Sequence, residues 1–294
     1  MNEVVGLRLG NQPRPCGVCG TVRKLSRTHV PPQAAGNTGP VTRKYMLGGS
    51  EGYRSGREYI GEYIGGIWVY GLCMDCNSLS GGRYDRAYAD FAAGIERWFS
   101  VAGRVWHPDM PAIRLAPGLV TRSVLYGMLA ISPNTRVMRP SLAEQLLAGG
   151  PVRLPGELSL RVATYLGRRA LLTGPILTAN VLGTRSEVNT LAAFTFRPLT
   201  WALAAGDSRE YFDSRRWADA TEWLLYEDDR VDVDVRWLTR SSARTGDVLH
   251  APGDELLQLF SSEIAPIVEG RIPGRVPLTG RAHRDTPSPM MRPT

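Results

Sequence analysis

The sequence predicts an α+β protein with a metal-stabilised N-terminal domain, a second domain with a mainly antiparallel sheet, and a basic tail. Three observations lead to this prediction. All four cysteines lie in two Cys-x-x-Cys pairs near the N-terminus, strand-like and helical patterns succeed one another after residue 112, and the last residues are rich in arginine, proline and glycine. The expected domains span residues 1–105 and 106–269, and a disordered tail follows at 270–294.

The chain is long enough for two hydrophobic cores, since it has 294 residues, of which 43% are hydrophobic. It contains no run of about 18 apolar residues, which a membrane helix needs, and no apolar leader typical of a secreted protein. We therefore expect a cytoplasmic protein without a membrane partner. Cytosolic thiols are kept reduced, so this compartment favours metal binding over disulfides for the cysteine pairs.

The charge of the chain predicts a nucleic-acid partner. Its 35 Lys+Arg against 28 Asp+Glu give a net charge of +7, and nearly all of the cations are arginines. A planar guanidinium matches the geometry of a phosphate, although a GC-rich coding sequence would also favour arginine. Between residues 14 and 57 the single acid is Glu51. The predicted phosphate contacts in this basic segment are Lys24, Arg27, Arg43 and Lys44.

The cysteine spacing predicts a zinc site. Cys16 and Cys19 form the first pair, and Cys73 and Cys76 form the second. Two tight turns of this kind present four thiolates in the tetrahedral arrangement that zinc prefers. Four buried thiols without a metal are the alternative, but paired spacing of this kind is uncommon by chance. We expect one structural zinc ion.

The elements around the cysteine pairs follow in order along the chain. Residues 25–30 are extended because Pro31 and Pro32 exclude helix from what precedes them, and His29 therefore lies at a strand end. A long glycine-rich loop is expected at 33–66, with a hairpin around 59–64, and a strand at 67–70 leads to the second pair. Residues 84–100 form a helix with one core-facing stripe, which consists of Tyr84, Tyr88, Phe91, Ile95 and Trp98.

This order resembles the HNH (ββα-metal) endonuclease superfamily, and within it the zinc-bearing branch similar to the phage junction-resolving endonucleases. The residues that carry the resemblance are the first cysteine pair, His29 before two prolines, and the sequence Cys73-Met-Asp-Cys76-Asn77. It covers about the first third of the chain, residues 14–100. The resemblance implies a ββα-metal nuclease domain that hydrolyses phosphodiester bonds in DNA, with RNA as the alternative substrate.

The resemblance also implies roles for individual residues. His29 would be the general base that takes a proton from the attacking water, since a neutral imidazole has a suitable pKa. Asn77 would hold a Mg²⁺ or Mn²⁺ ion, which stabilises charge on the reacting phosphate. Zinc would clamp the two cysteine pairs so that His29 and Asn77 face each other.

Thr28 departs from the pattern of the family, in which an acidic residue or a histidine precedes the catalytic histidine as a metal ligand. A threonine hydroxyl is a poor ligand for Mg²⁺, and Asp85, at the start of the following helix, is the expected substitute. Structural roles remain open for all three residues. His29 could be a polar neighbour of the zinc site or a strand-end histidine hydrogen-bonded to the backbone. Asn77 could cap the next helix or turn, and Asp85 could favour the dipole at a helix N-terminus. With such a degenerate site, the chain would be a zinc-stabilised nucleic-acid-binding or regulatory protein.

The second half of the chain contains no motif for catalysis. Pro117 opens a helix at 119–131, and a second helix at 141–148 ends at Gly149. Strands are expected at 158–166, 170–182, 188–196 and 231–237, and helices at 208–226 and 254–262. No phosphate-binding loop, dinucleotide fingerprint or nucleophile elbow occurs there. The expected role of this domain is recognition or dimerisation, which would make the protein a homodimer.

Overall fold

The computed structural model describes residues 13–39, 41–46, 58–102, 112–167, 169–179, 186–205, 217–239 and 267–271. Within these ranges the protein is an α+β structure with antiparallel strand pairs, which confirms the predicted class. The strands are β1 (Pro13–Pro15), β2 (Val22–His29), β3 (Val41–Met46), β4 (Glu58–Tyr63), β5 (Trp68–Cys73), β6 (Ile113–Leu115), β7 (Leu158–Thr164), β8 (Arg169–Thr173), β9 (Ile176–Ala179), β10 (Ser186–Phe196), β11 (Leu199–Ala205), β12 (Ala218–Asp219), β13 (Val231–Val233) and β14 (Ile267–Arg271). The helices are α1 (Met74–Arg83), α2 (Asp85–Ala102), α3 (Pro117–Ile131), α4 (Asn134–Met138), α5 (Pro140–Ala148) and α6 (Arg236–Thr239), with 3-10 helices at Gln33–Ala35 and Thr221–Leu225.

Strand β2 is the centre of a small three-stranded sheet with the order β1-β2-β5. It ends at His29, which pairs with Trp68 of β5, while Leu25 pairs with Cys73 near the other end. The chain passes directly from β5 into α1. This pairing brings the second cysteine pair alongside the turn that carries the first.

Helix α1 has no counterpart in the sequence prediction, because its two glycines and many polar residues give it no apolar stripe. It begins where β5 delivers Cys73 to the N-cap, and Cys76 follows three residues later on the same side of the first turn. Helix α2 confirms the helix predicted at 84–100. Four members of its predicted stripe are fully buried, namely Tyr84, Tyr88, Phe91 and Ile95.

Helix α3 is the centre of the described structure, since 14 of its 15 residues are buried. Pro117 stands at its start, as predicted. Its C-terminal turn packs on the backbone of both cysteine pairs, because a Cβ atom on Gly17 would overlap the carbonyl of Leu129 and one on Gly71 would overlap Ala130. A helix that begins beyond the predicted domain boundary at residue 105 therefore packs on the turns that carry the cysteines. None of the helices in the described ranges is long and apolar enough to cross a membrane.

A second, nine-stranded sheet has the order β12-β7-β11-β10-β8-β14-β3-β4, and β9 also pairs with β10. Strands β3 and β4 form a hairpin inside the segment predicted as a loop. The hairpin predicted around 59–64 is wrong in its extent, because Glu58–Tyr63 forms one strand and its partner is β3 at Val41–Met46. Strand β3 is held from both sides by β4 and β14, and a pairing over this distance leaves no local pattern in the sequence.

Strand β14 lies between two strands that precede it by long stretches of chain. It pairs with β3 on one side and with β8 on the other. Gly270 and Arg271, predicted to begin the tail, therefore belong to a sheet; residues 272–294 lie outside the described ranges. Buried apolar residues from both predicted domains form one cluster. The domain boundary at residue 105 stays a prediction, and α3 and β14 make contacts across it.

Two predictions for the second half are wrong in their described parts. The helix predicted at 208–226 is replaced over Ala218–Leu225 by β12 and a 3-10 helix, because the Asp219 carboxylate accepts the amide hydrogen of Thr221 at 2.8 Å and turns the chain. The strand predicted at 231–237 stops at Val233, since Asp234 accepts the amide hydrogen of Arg236 at 2.9 Å and α6 begins there. The helix predicted at 254–262 lies outside the described residues.

Candidate active site and metal centre

The four cysteines form one cluster. Their Sγ atoms all lie within 4.8 Å of one another, and the Sγ atoms of Cys19 and Cys73 are 3.8 Å apart. A tetrahedral zinc ion with Zn–S bonds of about 2.3 Å separates its sulfur ligands by about 3.8 Å. The cluster therefore fits zinc in both ligand type and spacing. None of the four cysteines forms a disulfide.

The surroundings of Cys16 favour a thiolate. A hydrogen bond from Cys76 lowers the pKa of the Cys16 thiol to about 4, against the opposing effect of burial. The amide of Cys73 also donates to Cys16 Sγ at 3.3 Å. Zinc binds cysteine as thiolate, so this network prepares one ligand in its binding form. Arg136 of α4 donates to the carbonyl of Val18 at 3.1 Å and so fixes the first turn from outside.

The three predicted site residues meet at one cavity of about 250 Å³. His29 comes from the end of β2, Asn77 from α1 and Asp85 from the first turn of α2. Thr28 also lines the cavity, as does Ser123 of α3. The cavity is thus lined by β2, α1 and α2 of the predicted nuclease domain and by α3 of the second predicted domain.

His29 is held by the backbone near its own strand end. Its Nε2 atom lies 2.8 Å from the carbonyl oxygen of Gly65. A carbonyl only accepts hydrogen bonds, so Nε2 carries the proton and Nδ1 is the basic nitrogen of the neutral ring. The predicted strand-end position is confirmed. The hydrogen bond selects the tautomer and orients the ring, as a base that acts from a defined position requires.

Asn77 lies within α1 and does not cap it, since the N-cap is Cys73. Its amide Nδ2 donates to the carbonyl of Arg27 at 3.0 Å. This contact leaves Oδ1 as the atom suited to bind a cation. The helix-cap interpretation of Asn77 is therefore wrong, because the helix begins four residues earlier than an Asn77 cap requires.

Asp85 is fixed by two serines that the sequence does not single out. Its Oδ1 accepts hydrogen bonds from Ser80 Oγ and from Ser123 Oγ, each at 2.9 Å. Burial raises the pKa of Asp85, while both serines act in the opposite direction. Ser123 is 38 residues away in the chain, so no local spacing could have indicated it. The two serines hold a carboxylate at the edge of the cavity in one orientation.

Thr28 has an unsatisfied hydroxyl. The residue is only 5% exposed, and its Oγ1 has no hydrogen-bond partner among the described residues. Buried hydroxyls normally have a partner, and an orphan at a cavity wall indicates a site for a polar ligand. The carboxylate of Asp85 and the side-chain oxygen of Asn77, which line the same cavity, are oxygen donors of the kind that Mg²⁺ and Mn²⁺ prefer.

Asn37 is a second residue that the sequence analysis missed. It is 1% exposed, and its Nδ2 donates to the carbonyls of Pro31 and Ile67 at 2.6 and 2.8 Å, while the amide of Ile67 donates to its Oδ1 at 2.7 Å. These bonds tie the segment that follows His29 to the segment that precedes Trp68. Asn37 thus keeps Gly65, the partner of His29, in place.

Two of the predicted phosphate contacts, Lys24 and Arg27, are not among the residues that line the cavity. Lys24 and Arg27 are exposed on β2. Arg43 and Lys44 lie in β3 of the large sheet, where only the backbone is described. The four predicted cations therefore lie on strands of two sheets, and Arg43 and Lys44 belong to β3 instead of the predicted loop.

Comparison with known proteins gives no relative. No protein-family model matches the chain, and neither a curated protein nor a solved structure is similar to it at a significant level. The resemblance to HNH nucleases therefore stays a hypothesis that rests on the residues described above.

Proposed function

We propose that this protein is a metal-dependent endonuclease of HNH type, which hydrolyses phosphodiester bonds in DNA. The observation that carries the proposal is the meeting of His29, Asn77 and Asp85 at one cavity beside a four-cysteine cluster. A strand that ends in the histidine, a partner strand and a helix that carries the asparagine have the order of the ββα-metal arrangement. The proposed fold of residues 14–100 is that arrangement, with zinc as its structural ion.

In the proposed mechanism His29 accepts a proton from the attacking water through Nδ1, while its Nε2–H stays on the Gly65 carbonyl. Asn77 Oδ1 and Asp85 would hold a Mg²⁺ or Mn²⁺ ion, and Ser80 and Ser123 keep the carboxylate oriented toward it. Such an ion supplies charge stabilisation for the phosphate and the leaving 3′ oxygen. Thr28 replaces the usual acidic ligand, so Asp85 supplies the charge that the site otherwise lacks.

The direct test is the conversion of supercoiled plasmid to nicked circles. Wild-type protein with Mg²⁺ or Mn²⁺ should nick the plasmid, and protein without divalent ions should not. RNA of similar length serves as the second substrate. If neither polymer is cleaved with any divalent ion, the nuclease proposal fails.

Asn77→Ala should lower activity in Mg²⁺ strongly and recover part of it at high Mn²⁺. The change removes one oxygen ligand but leaves the base, and Mn²⁺ binds such sites more tightly than Mg²⁺. Nicking rates at a series of Mn²⁺ concentrations measure this recovery. Ser78→Ala, an exposed neighbour on α1, is the control and should behave like wild type. An equal loss of nicking rate at every Mn²⁺ concentration would mean that Asn77 supports the fold and does not bind the ion.

Asp85→Asn should raise the melting temperature in buffer without divalent ions. Burial raises the pKa of Asp85 in the folded protein above its unfolded value of about 4. The folded state therefore binds this proton more tightly, so Asp85 favours folding at low pH and opposes it as the pH rises through the raised pKa. Asparagine keeps the acceptor for both serines and carries no charge. The difference in melting temperature should grow with pH.

The control for this measurement is Asp90→Asn, an exposed carboxylate on the same helix that pairs with Arg86 at 2.9 Å. It should change the melting temperature little, because exposed ion pairs contribute little to stability. A lower melting temperature for Asp85→Asn at pH 8 would mean that the carboxylate stabilises the fold. Asp85 would then lose its place as a ligand.

Replacing Arg43 and Lys44 together by alanine should lower the salt dependence of DNA binding. Each cation that contacts a phosphate of duplex DNA contributes about 0.9 to the slope of log K against log salt, so the slope should fall by nearly two. Binding isotherms at several salt concentrations measure it. An unchanged slope would remove β3 from the DNA interface.

The second candidate function is a zinc-stabilised nucleic-acid-binding or regulatory protein with a degenerate nuclease site. Thr28 favours this alternative, since the position before His29 carries no charge to attract a divalent ion. Binding of DNA or RNA without cleavage, in protein that contains zinc, is the outcome that supports it. Any oligomeric state, including the homodimer, and a cytoplasmic location remain expectations from the sequence.

A further inference from the structure

One face of the small sheet combines an arginine with two aromatic rings beside His29. Across β2 and β5, Arg27 pairs with Tyr70 and His29 pairs with Trp68. Residues paired directly on antiparallel strands project to the same side of a sheet. These four side chains therefore share one face. Arg27, Trp68 and Tyr70 are called the aromatic platform below.

The members of the aromatic platform hold one another in place. The guanidinium carbon of Arg27 lies 4.7 Å from the ring centre of Trp68, and Arg27 Nε donates to the Tyr70 hydroxyl at 3.4 Å. The rings of Trp68 and Tyr70 meet edge to face, with centres 5.0 Å apart. Arg27 is nevertheless exposed and both rings are only half-buried. The platform is thus ordered before any ligand binds and is still accessible.

The charge around the platform suits a polyanion. Residues 13–29 contain no acid, and Lys24 and Arg27 make no ion pair with any residue of the described ranges. Arg23 is neutralised, since it pairs with Asp75 at 2.5 Å. Arg27 therefore presents an exposed cation next to the two rings of β5, and Lys24 is a second exposed cation on β2. A cation next to aromatic rings is the combination that single-stranded nucleic acids bind through phosphate contacts and base stacking.

An exposed apolar side chain lies near the same place in the chain. Ile64 is 90% exposed and directly precedes Gly65, the residue that accepts the hydrogen bond of His29. Proteins that separate or bend stacked bases commonly present an apolar side chain to them.

We propose that the aromatic platform stacks an unpaired base of single-stranded DNA next to the phosphodiester at which His29 activates the attacking water. In a duplex each base is covered by its neighbours, so only an unpaired base can offer its face to Trp68 or Tyr70. His29 lies on the same face of the sheet as the platform. The phosphate of the stacked nucleotide would therefore lie on the side of the sheet that carries the general base. The binding part of this proposal stands independently, whereas the attack on the phosphate rests on the proposed nuclease function.

Binding is tested with His29→Ala protein in buffer without added divalent ions, so that no strand is cut. The probes are a fluorescent oligodeoxythymidine of about 16 nucleotides, at the upper end of common site sizes, and a duplex of equal length. The single strand should bind more tightly than the duplex. Adding Trp68→Ala should weaken single-strand binding by about 5- to 150-fold, the range expected for one lost stack. Trp68→Phe should retain most of the affinity.

Equal affinity for the two probes, or unchanged single-strand binding by a folded, zinc-containing Trp68→Ala protein, would overturn the proposal. Should that variant melt early, Arg27→Gln takes its place, because Arg27 is exposed. It should weaken single-strand binding and lower the salt slope by about 0.7, and no change would again overturn the proposal. If the protein prefers the single strand but wild-type protein does not nick the plasmid, the nuclease proposal fails and the platform proposal stands. If wild-type protein nicks the plasmid but the single strand is not preferred over the duplex, the platform proposal fails and the nuclease proposal stands.

Discussion

His29→Ala should reduce the rate of plasmid nicking by a factor of about 10² to 10⁴, the usual contribution of a general base. Water that attacks phosphorus must lose a proton, and the Nε2 contact with Gly65 leaves Nδ1 as the basic atom of the ring. The substitution removes the hydrogen bond to Gly65, and a hydrogen bond of this kind is worth about 1 kcal/mol to folding. Zinc content and melting temperature should therefore stay close to those of wild type.

Thr28→Val is the matched control for His29→Ala. It changes the adjacent residue, lines the same cavity, and removes a hydroxyl that has no partner among the described residues. Its nicking rate should stay near that of wild type if Asp85 provides the charge of the site. If both variants lose the same part of the nicking rate, the loss comes from any disturbance of the cavity and does not identify His29 as the base. A His29→Ala protein that still nicks at the wild-type rate would contradict the assignment of the base.

Loss of zinc should unfold the protein. Structural zinc in comparable sites contributes on the order of 10 kcal/mol, which exceeds the margin of many small domains. Cys19→Ser is the informative variant, because Cys19 is only partly buried and the change replaces one atom. A large loss of stability there must come from the metal. Purified wild-type protein should contain about one equivalent of zinc, and a chelator should lower its melting temperature.

The structure also predicts how far the unfolding extends. Helix α3 packs on Gly17 and Gly71, and the buried residues of both halves form one cluster. We therefore expect a single transition that includes α3, measured by circular dichroism and by tryptophan fluorescence together. Ser78→Ala on α1 is the control. Protein free of zinc that keeps its melting temperature would refute the zinc prediction. Two separated transitions would contradict the single transition and support the predicted division at residue 105.

The candidate site could be predicted from the sequence only in part. Both cysteine pairs and the His29 strand end follow from spacings of a few residues and from Pro31, and such local rules hold wherever the segment lies. The hydrogen bonds of Asp85 to Ser80 and Ser123 could not be predicted in this way. They require α2 and α3 to pack against each other, and neither serine belongs to a recognisable motif.

The sequence by itself determined the class of the fold, the cysteine spacing, the apolar stripe of α2 and the start of α3 at Pro117. Each depends on periodicity or on a residue with restricted backbone geometry, which act over one or two turns of chain. Only the tertiary structure decided that α1 is a helix, that β3 pairs with β14 and that His29, Asn77 and Asp85 line one cavity. These features depend on which distant segments bury their surfaces together, and no local pattern in the sequence records that choice.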